Sequence, residues 1–419
     1  MSYILIPIFS DPFLHPLHKD NDLSLLYLRH WGDREGKMIC INHPDCVDRG
    51  SIDDIKNDKT YFYVTPDKKK LTHILPDTRL MDVNYFNWDK TNLPLDLENI
   101  RLNAYDFFHS KYYNVKDLNY IIPLSKHKEY CDKVFDKMKE SVSSMMDTEY
   151  HSDVIEAFGS IEKNGIKVID NVCDIFDMRV KKHISDGKLY SQYNLWTTTG
   201  RPSNSFGSVN FAALPPEKRK AFISENDYLV EYDYDAYHLR LIGDLVDYKF
   251  DKESVHQHLA DFYGSTYEES KQISFRLLYG GIDKKTQEKV PFFGKVHKYI
   301  NDKWLEINQN NYVFTDIYRR KLLSNNYVDM NKNKLFNYLI QAYETESNIK
   351  TIIEINNYLL DKDTKLVLYG YDSFLFDFSK QDGVNVLTEI KNILERNGHM
   401  VKAKMGFNYG EMTDISERL

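Results

Sequence analysis

A chain of 419 residues with 42% hydrophobic side chains is long enough for two or three subdomains, each with its own core. It holds no apolar run long enough to span a bilayer, and its start, MSYILIPIFSDPF, has neither a basic leader nor a long apolar stretch, so membrane insertion and secretion are disfavoured and a cytoplasmic location is expected. A net charge of −8 argues at first sight against a nucleic-acid surface, because neutralising phosphates demands Lys and Arg.

Residues 1–125 show short strand-like runs (YILIPIF, GKMICINH, TYFYVTP) broken by Asp, Pro, Gly and Asn clusters, which predicts a small α+β domain of its own. Cys40, His43 and Cys46 come close to a metal knuckle, but a tetrahedral zinc site needs a fourth ligand and none is evident nearby. With Cys131 and Cys173 these are four sparse, unevenly spaced cysteines, expected as reduced thiols rather than a disulfide framework. From Lys126 the pattern turns helical, with Ile155, Phe158 and Ile161 at helical spacing, a break at Asn164-Gly165, then Ile166 and Val168; residues 126–190 read as a helical connector. DYLVEYDYD (227–235) alternates and ends on acidic groups, and KLVLYGYDSFLFDF (365–378) reads as a hairpin turning at Gly370-Tyr371-Asp372-Ser373. Helical segments are expected between them, over about 253–303 and 337–360. Between residues 271 and 334 there are 13 Lys/Arg against 6 Asp/Glu, a local basic excess suited to contacting phosphates and equally to a solvated helical face.

The chemistry sits at the two strand tips. Phosphoryl transfer asks a protein mainly for positioning and charge neutralisation, and paired metal ions serve the attacking and leaving oxygens. Asp233 and Asp372 lie far apart in sequence, yet adjacent antiparallel strands can bring them together. Taken singly, each is more often a turn or capping Asp than a ligand.

The order of the surrounding motifs resembles that of family A DNA polymerases over about residues 151–419. YDYDAYHLRLIGDL (232–245) resembles the family's first palm motif, so the resemblance implies metal binding at Asp233 and the adjoining Tyr234. LYGYDSFLFDF resembles the second palm motif and implies metal binding at Asp372. TTTGRPSN (197–204), Asn210 and RKAFI (219–223) look like the segment leading into that strand, which gives Arg201 and Asn210 a role on the primer–template. HQHLADFYG and KQISFRLLYGG (271–281) resemble the fingers helix. The resemblance assigns phosphate contacts to His256 and Lys271, sugar packing to Phe275, and the place beside the templating base to Tyr279-Gly280. Lys271, Phe275 and Tyr279 also share one helical face by spacing alone. IYRRKLL (317–323) and FNYLIQ (336–341) resemble the family's Arg-rich turn and minor-groove helix, implying duplex contacts from Arg319, Arg320, Asn337 and Gln341, and VKAKMGFNYGEM resembles the family's terminus.

Departures from the pattern are specific. His238 stands where the family has its sugar-gating Glu and is expected to touch the nucleotide; Ala236 replaces a Gln; Tyr267 replaces a phosphate-clamping Arg; and Ser373 follows the second metal Asp where the family has Glu. The segment that would carry the thumb is short, which implies a partner protein supplying the missing grip. The paired acidic motifs of a proofreading exonuclease are too compressed at Asp96-x-Glu98 with Tyr113 and Asp117, and Asp147-x-Glu149 abuts the palm, so no proofreading is expected.

These readings converge on an α+β right-hand polymerase fold. Its expected parts are an N-terminal domain of unknown role (1–125), a connector or vestigial thumb (126–190), palm (191–250 and 351–419) and fingers (251–350). The expected activity is primer extension with dNTPs on a DNA primer–template, using two Mg²⁺ ions, with Mn²⁺ as a substitute; a phage origin is suggested by the resemblance. A single-subunit RNA polymerase or sugar-relaxed polymerase, motivated by His238, and an inactive polymerase-like scaffold, motivated by the short thumb segment, are the alternatives.

Overall fold

The computed structural model describes residues 2–97, 118–141, 148–170, 175–205, 208–250, 254–326 and 329–419. Strands β1 (Ser2–Phe9), β2 (Leu23–His30), β3 (Lys37–Cys40), β4 (Phe62–Thr65) and β5 (Leu80–Asp82) form a mixed sheet in the order β3-β2-β1-β4-β5. The β1–β4 and β4–β5 pairs are parallel and the other two antiparallel. The strands read as nearly continuous apolar runs because both faces are covered. Ile4, Ile6, Ile8, Leu25 and Tyr27 pack on one side under Cys131, Val134, Phe135 and Met138 of a long helix. Leu5, Leu26 and Tyr63 face the other side, against Leu71 of helix α1 (Lys68–Thr72) and Leu75. That long helix, α2 (Leu124–Ser141), therefore packs on the N-terminal sheet, while the next one, α3 (Glu149–Asn164), packs on the second sheet.

The expectation of free thiols is corrected at one place: Cys40 and Cys46 are joined in a disulfide, six residues apart, and among the described residues only Cys131 is a free, buried cysteine. His43 lies close by in sequence but turns its Nε2 to the carbonyls of Asn119 and Ile122, so no Cys-His knuckle forms.

The larger sheet has nine strands among the described residues, all antiparallel. Its principal members are β6 (Ile166–Val168), β7 (Phe222–Ile223), β8 (Tyr228–Tyr234), β9 (Lys365–Tyr369), β10 (Ser373–Phe378), β11 (Val401–Asn408) and β12 (Glu411–Asp414). The order is β9-β10-β8-β11-β7-β6, continued by two short strands, with β12 paired to β11. Alternation places Val230 and Tyr232 of β8 and Phe374 and Phe376 of β10 in the core beneath α3, α8 (Lys332–Tyr358) and α9 (Asn385–Glu395). Glu231, Asp233, Lys402 and Lys404 are left on the opposite face.

Four helices build a separate lobe: α4 (Tyr237–Leu245), α5 (Val255–Tyr263), α6 (Tyr267–Gly280) and α7 (Pro291–Asn310), around Leu239, Leu259, Leu278, Phe292 and Phe293. Starts and stops are locally specified: Ser254 caps α5 and Gly264 ends it in the left-handed region, Thr266 and Glu269 make a capping box on α6, and Pro291 opens α7. The 27-residue α8 ties lobe to sheet, burying Phe336 and Ile340 in the first and Ile349, Ile352 and Ile355 in the second. No helix among the described residues is long and apolar enough to cross a membrane.

Candidate active site

Register brings the two carboxylates together. Asp233, the penultimate residue of β8, lies opposite Ser373, the first residue of β10, and Tyr234 N–H donates to the Asp372 carbonyl at 2.9 Å, so Asp372 in the hairpin turn sits beside Asp233. The turn is tight: the Gly370 N–H donates to the Ser373 carbonyl at 2.8 Å, and a Cβ on Gly370 would lie 2.4 Å from Ser373 Oγ. Two non-glycine residues beside the carboxylates adopt left-handed backbone, Tyr371 (φ 74°) and Ala236 (φ 52°), a concentration of strain common where side chains must be aimed. Buried Asn348 of α8 holds both: its amide donates to the Tyr371 carbonyl at 2.8 Å, and its oxygen accepts from the Tyr237 hydroxyl at 2.6 Å.

Electrostatics mark the pair. Burial pushes the Asp233 carboxyl up to about 6, aided by the charges of Asp372 and Glu231 and opposed by Lys404 and Lys402. Burial also raises Asp372, with Glu344 adding to the rise and His238 and Arg201 opposing it. Two adjacent carboxylates that resist ionising are poised for a cation, whose charge would relieve both burial and mutual repulsion. The chemistry of the donors, hard carboxylate oxygens, suits a hard divalent ion such as Mg²⁺.

They open onto a cavity of about 320 Å³ whose opposite wall is α5 and α6. His256, Tyr267, Lys271 and Phe275 line it, with His238 and Arg201 between the two walls. Lys271 is exposed and Phe275 is 46% exposed. Burial lowers the His256 imidazole, opposed by Asp235 and assisted by Lys271 and Lys402, so the ring is neutral near pH 7. Tyr267 packs edge-on against His256, centroids 5.5 Å apart. Asn337 and Gln341 line an adjoining cavity of about 250 Å³. Asn210 lies apart, capping a short turn through the Ala213 N–H, and Arg319 is exposed with its guanidinium 4.6 Å from the centre of the Phe314 ring. The backbones of Tyr279 and Gly280 close α6; their side chains lie outside the described set, as do Glu98, Tyr113, Asp117 and Asp147.

Two expected site residues turn their side chains into the interior. Arg320 is 5% exposed, paired with Glu346 at 2.7 Å and packed against both Trp88 and Tyr150, where it donates to the Thr199 carbonyl; it supports the TTTGR loop from inside. Gly200 must be glycine beneath it, with φ at 82° and a Cβ position 3.0 Å from the guanidinium. The Tyr234 side chain is equally interior, stacked on Tyr237 with its hydroxyl on the Leu394 carbonyl, so only its backbone borders the cavity.

Conversely, two residues were not singled out from sequence. Lys402 stands opposite Asp233 on β11 and pairs with Asp235 at 2.9 Å; the signal was the alternation Val-Lys-Ala-Lys, which aims both lysines away from the core. Glu344, 1% exposed, is paired with Arg201 at 3.0 Å and His238 at 3.2 Å; its signal was an acid three residues beyond Gln341, on the same side of the helix.

A further group, His15, His73 and Glu162, places candidate ligand atoms within 4.8 Å of one another. Lys69 already bonds the Glu162 carboxylate, and the Leu17 N–H donates to His15 Nδ1, which puts the ring proton on Nε2 facing the carboxylate. Lys69 and His73 thus bond the Glu162 carboxylate, while the His15 Nε2 stands 3.9 Å from it, in a knot between the N-terminal sheet and the rest of the chain.

The fold is one shared with a polymerase domain. One solved structure with that fold is the polymerase domain of Pol1 from M. smegmatis in complex with DNA primer-template and dNTP: it superposes with a TM-score of 0.68 over 98% of this chain and 96% of that one, at 13% identity. No family profile and no curated protein sequence matches this chain.

Proposed function

We propose that the chain is a template-directed DNA polymerase that extends a primer 3′ end with dNTPs. The observation that carries the reading is the convergence, in one cavity of a polymerase-type fold, of two strand-tip carboxylates with raised proton affinity and a facing helix that offers Lys271 and Phe275. In this reading the sheet is the palm (191–250 and 351–419), the helical lobe within 251–350 is the fingers, 126–190 a reduced thumb, and 1–125 a domain of unassigned role. The partners are a DNA primer–template, dNTPs and a protein that supplies the missing grip.

Asp233 and Asp372 would hold two Mg²⁺ ions, with Mn²⁺ as a substitute, and such ions would supply activation of the attacking hydroxyl and charge neutralisation of the phosphates. Lys271 and neutral His256 receive the triphosphate, the first as a cation and the second as a hydrogen-bond partner. Lys402 lines the same cavity as Tyr267, which offers no charge there, and takes over that part of the phosphate grip. Phe275 packs on the sugar. Arg201 contacts the primer end, and Asn337 and Gln341 read the minor-groove edge of the new pair, whose acceptors are nearly independent of sequence.

Primer extension on a labelled primer–template with Mg²⁺ tests this. Extension with dNTPs is expected, reduced about a thousandfold or more by Asp233→Asn or Asp372→Asn. A strong preference for NTPs would select the RNA polymerase reading that His238 motivates, and activities indifferent to both substitutions would select the scaffold.

A further inference from the structure

We propose that Glu344 governs sugar selection as a positioning residue, by holding His238 as a wall across the nucleotide cavity; this rests on the polymerase reading above. Glu344 sits in the middle of α8, where the helix passes from lobe to sheet, and is 1% exposed. A carboxylate so buried survives only with strong partners. Its partners are the His238 Nε2 at 3.2 Å and the Arg201 Nε at 3.0 Å, two groups from different segments that both border the cavity.

The 320 Å³ cavity and the 250 Å³ cavity share three lining residues, Arg201, His238 and Leu278. The first holds the charged groups Asp233, Asp372 and Lys271, together with the neutral imidazole of His256. The second is apolar with two amides: Ile242, Phe336, Ile340, Asn337 and Gln341. A nucleotide with its phosphates in the first and its base edge toward the second must lay its sugar across the shared wall. Glu344 fixes both polar members of that wall, and the Arg201 guanidinium is clamped on its far side by the Tyr371 ring at 3.9 Å. With its Nε2 anchored, the His238 ring is held against swinging aside, so an extra hydroxyl on the sugar meets a rigid edge. Gln341 lies one turn earlier on α8, which couples the wall to the residue that faces the base pair.

Single-nucleotide incorporation measures kcat and KM for a dNTP and the matching NTP, on protein whose folding is confirmed by melting. His238→Ala is expected to lower the dNTP-over-NTP ratio of kcat/KM by about a hundredfold, the scale of a misplaced reacting group. Glu344→Gln should lower it about tenfold, chiefly through a lower KM for the NTP. Glu344→Asp, which keeps the charge, should recover most of the selectivity. Because Glu344 acts through His238, the double variant should discriminate no worse than His238→Ala alone. Unchanged selectivity in Glu344→Gln, or an additive double variant, overturns the inference while leaving the polymerase intact. Absence of extension by the wild type with either nucleotide removes the polymerase reading itself. If Glu344→Gln melts below the assay temperature, Glu344→Asp and Arg201→Lys carry the test: selectivity must survive the first, and a loss larger than that of His238→Ala in the second would assign the wall to Arg201 instead.

Discussion

The two walls of the cavity are built to different standards. On the sheet side Asp233 is half-buried at its strand tip and Asp372 stands in the adjoining turn, their backbones pinned by the β8–β10 register, by Asn348 and by left-handed conformation at Tyr371 and Ala236. On the helical side Lys271 and Phe275 stand exposed on α6, and among the described residues no ion pair holds Lys271. One wall is set in advance for charge, and the other is left for the substrate to organise. That division is what a reaction needs when its metal-binding geometry must be exact to fractions of an ångström while its nucleotide changes at each step.

The largest effect that sharpens this contrast should come from the helical wall. Lys271→Ala is expected to raise KM for the incoming nucleotide about thirtyfold with a smaller change in kcat, and Lys402→Ala about fivefold, because a charge that engages phosphates in the ground state contributes mainly to binding. Equal losses in kcat for both lysines would break the comparison, since they would then act only in the transition state. Steady-state kinetics on a fixed primer–template decides it.

A second test turns on pH. Folded Asp233 titrates at about 6, above the ordinary 3.8. Between those values the folded chain keeps a proton that the unfolded chain has released, so this group favours folding fully below about pH 4 and loses that contribution as pH rises through 6. Metal-free protein in chelator should therefore lose stability across that window, and added Mg²⁺ should restore it at pH 7.5. The smallest effect follows: metal-free Asp233→Asn should be more stable than wild type at pH 7.5 by about 1 kcal/mol, a figure already reduced for the solvent that reaches the group. Chemical denaturation with and without chelator reads both, and a metal-free variant less stable than wild type would show the sheet wall to be a structural ion pair network.

Much of the site could be read from the sequence because strand tips and helix faces are local. DYLVEYDYD and LYGYDSFLFDF announce a strand and a hairpin, and register alone then places Asp233 beside Asp372. Lys271 and Phe275 share a face by spacing. Arg320 misled because adjacency in Arg319-Arg320 says nothing about direction: the chain turns with φ at 58° on Arg319, leaving one guanidinium outside and the other on Glu346. Glu344 and Lys402 went unnoticed because their meaning is tertiary; an acid in a long helix and a lysine on a late strand acquire a role only when Arg201, His238 or Asp235 arrives from elsewhere. The Cys40–Cys46 crosslink likewise depends on the loop after β3 folding back, which spacing alone does not require.

Trp88 gives the N-terminal sheet a stake in the cavity. Its indole N–H donates to the Thr197 carbonyl at 2.7 Å, its ring underlies Arg320, and its side chain is wholly enclosed in the same core as Val230 and Tyr232. Asn92, one turn later, is stitched to the backbone of Lys321 and Leu323. Anyone trimming this chain to a minimal catalyst by cutting ahead of residue 126 would pull the keystone from beneath the loop that carries Arg201, and should expect a sticky, half-built fragment in place of a smaller enzyme.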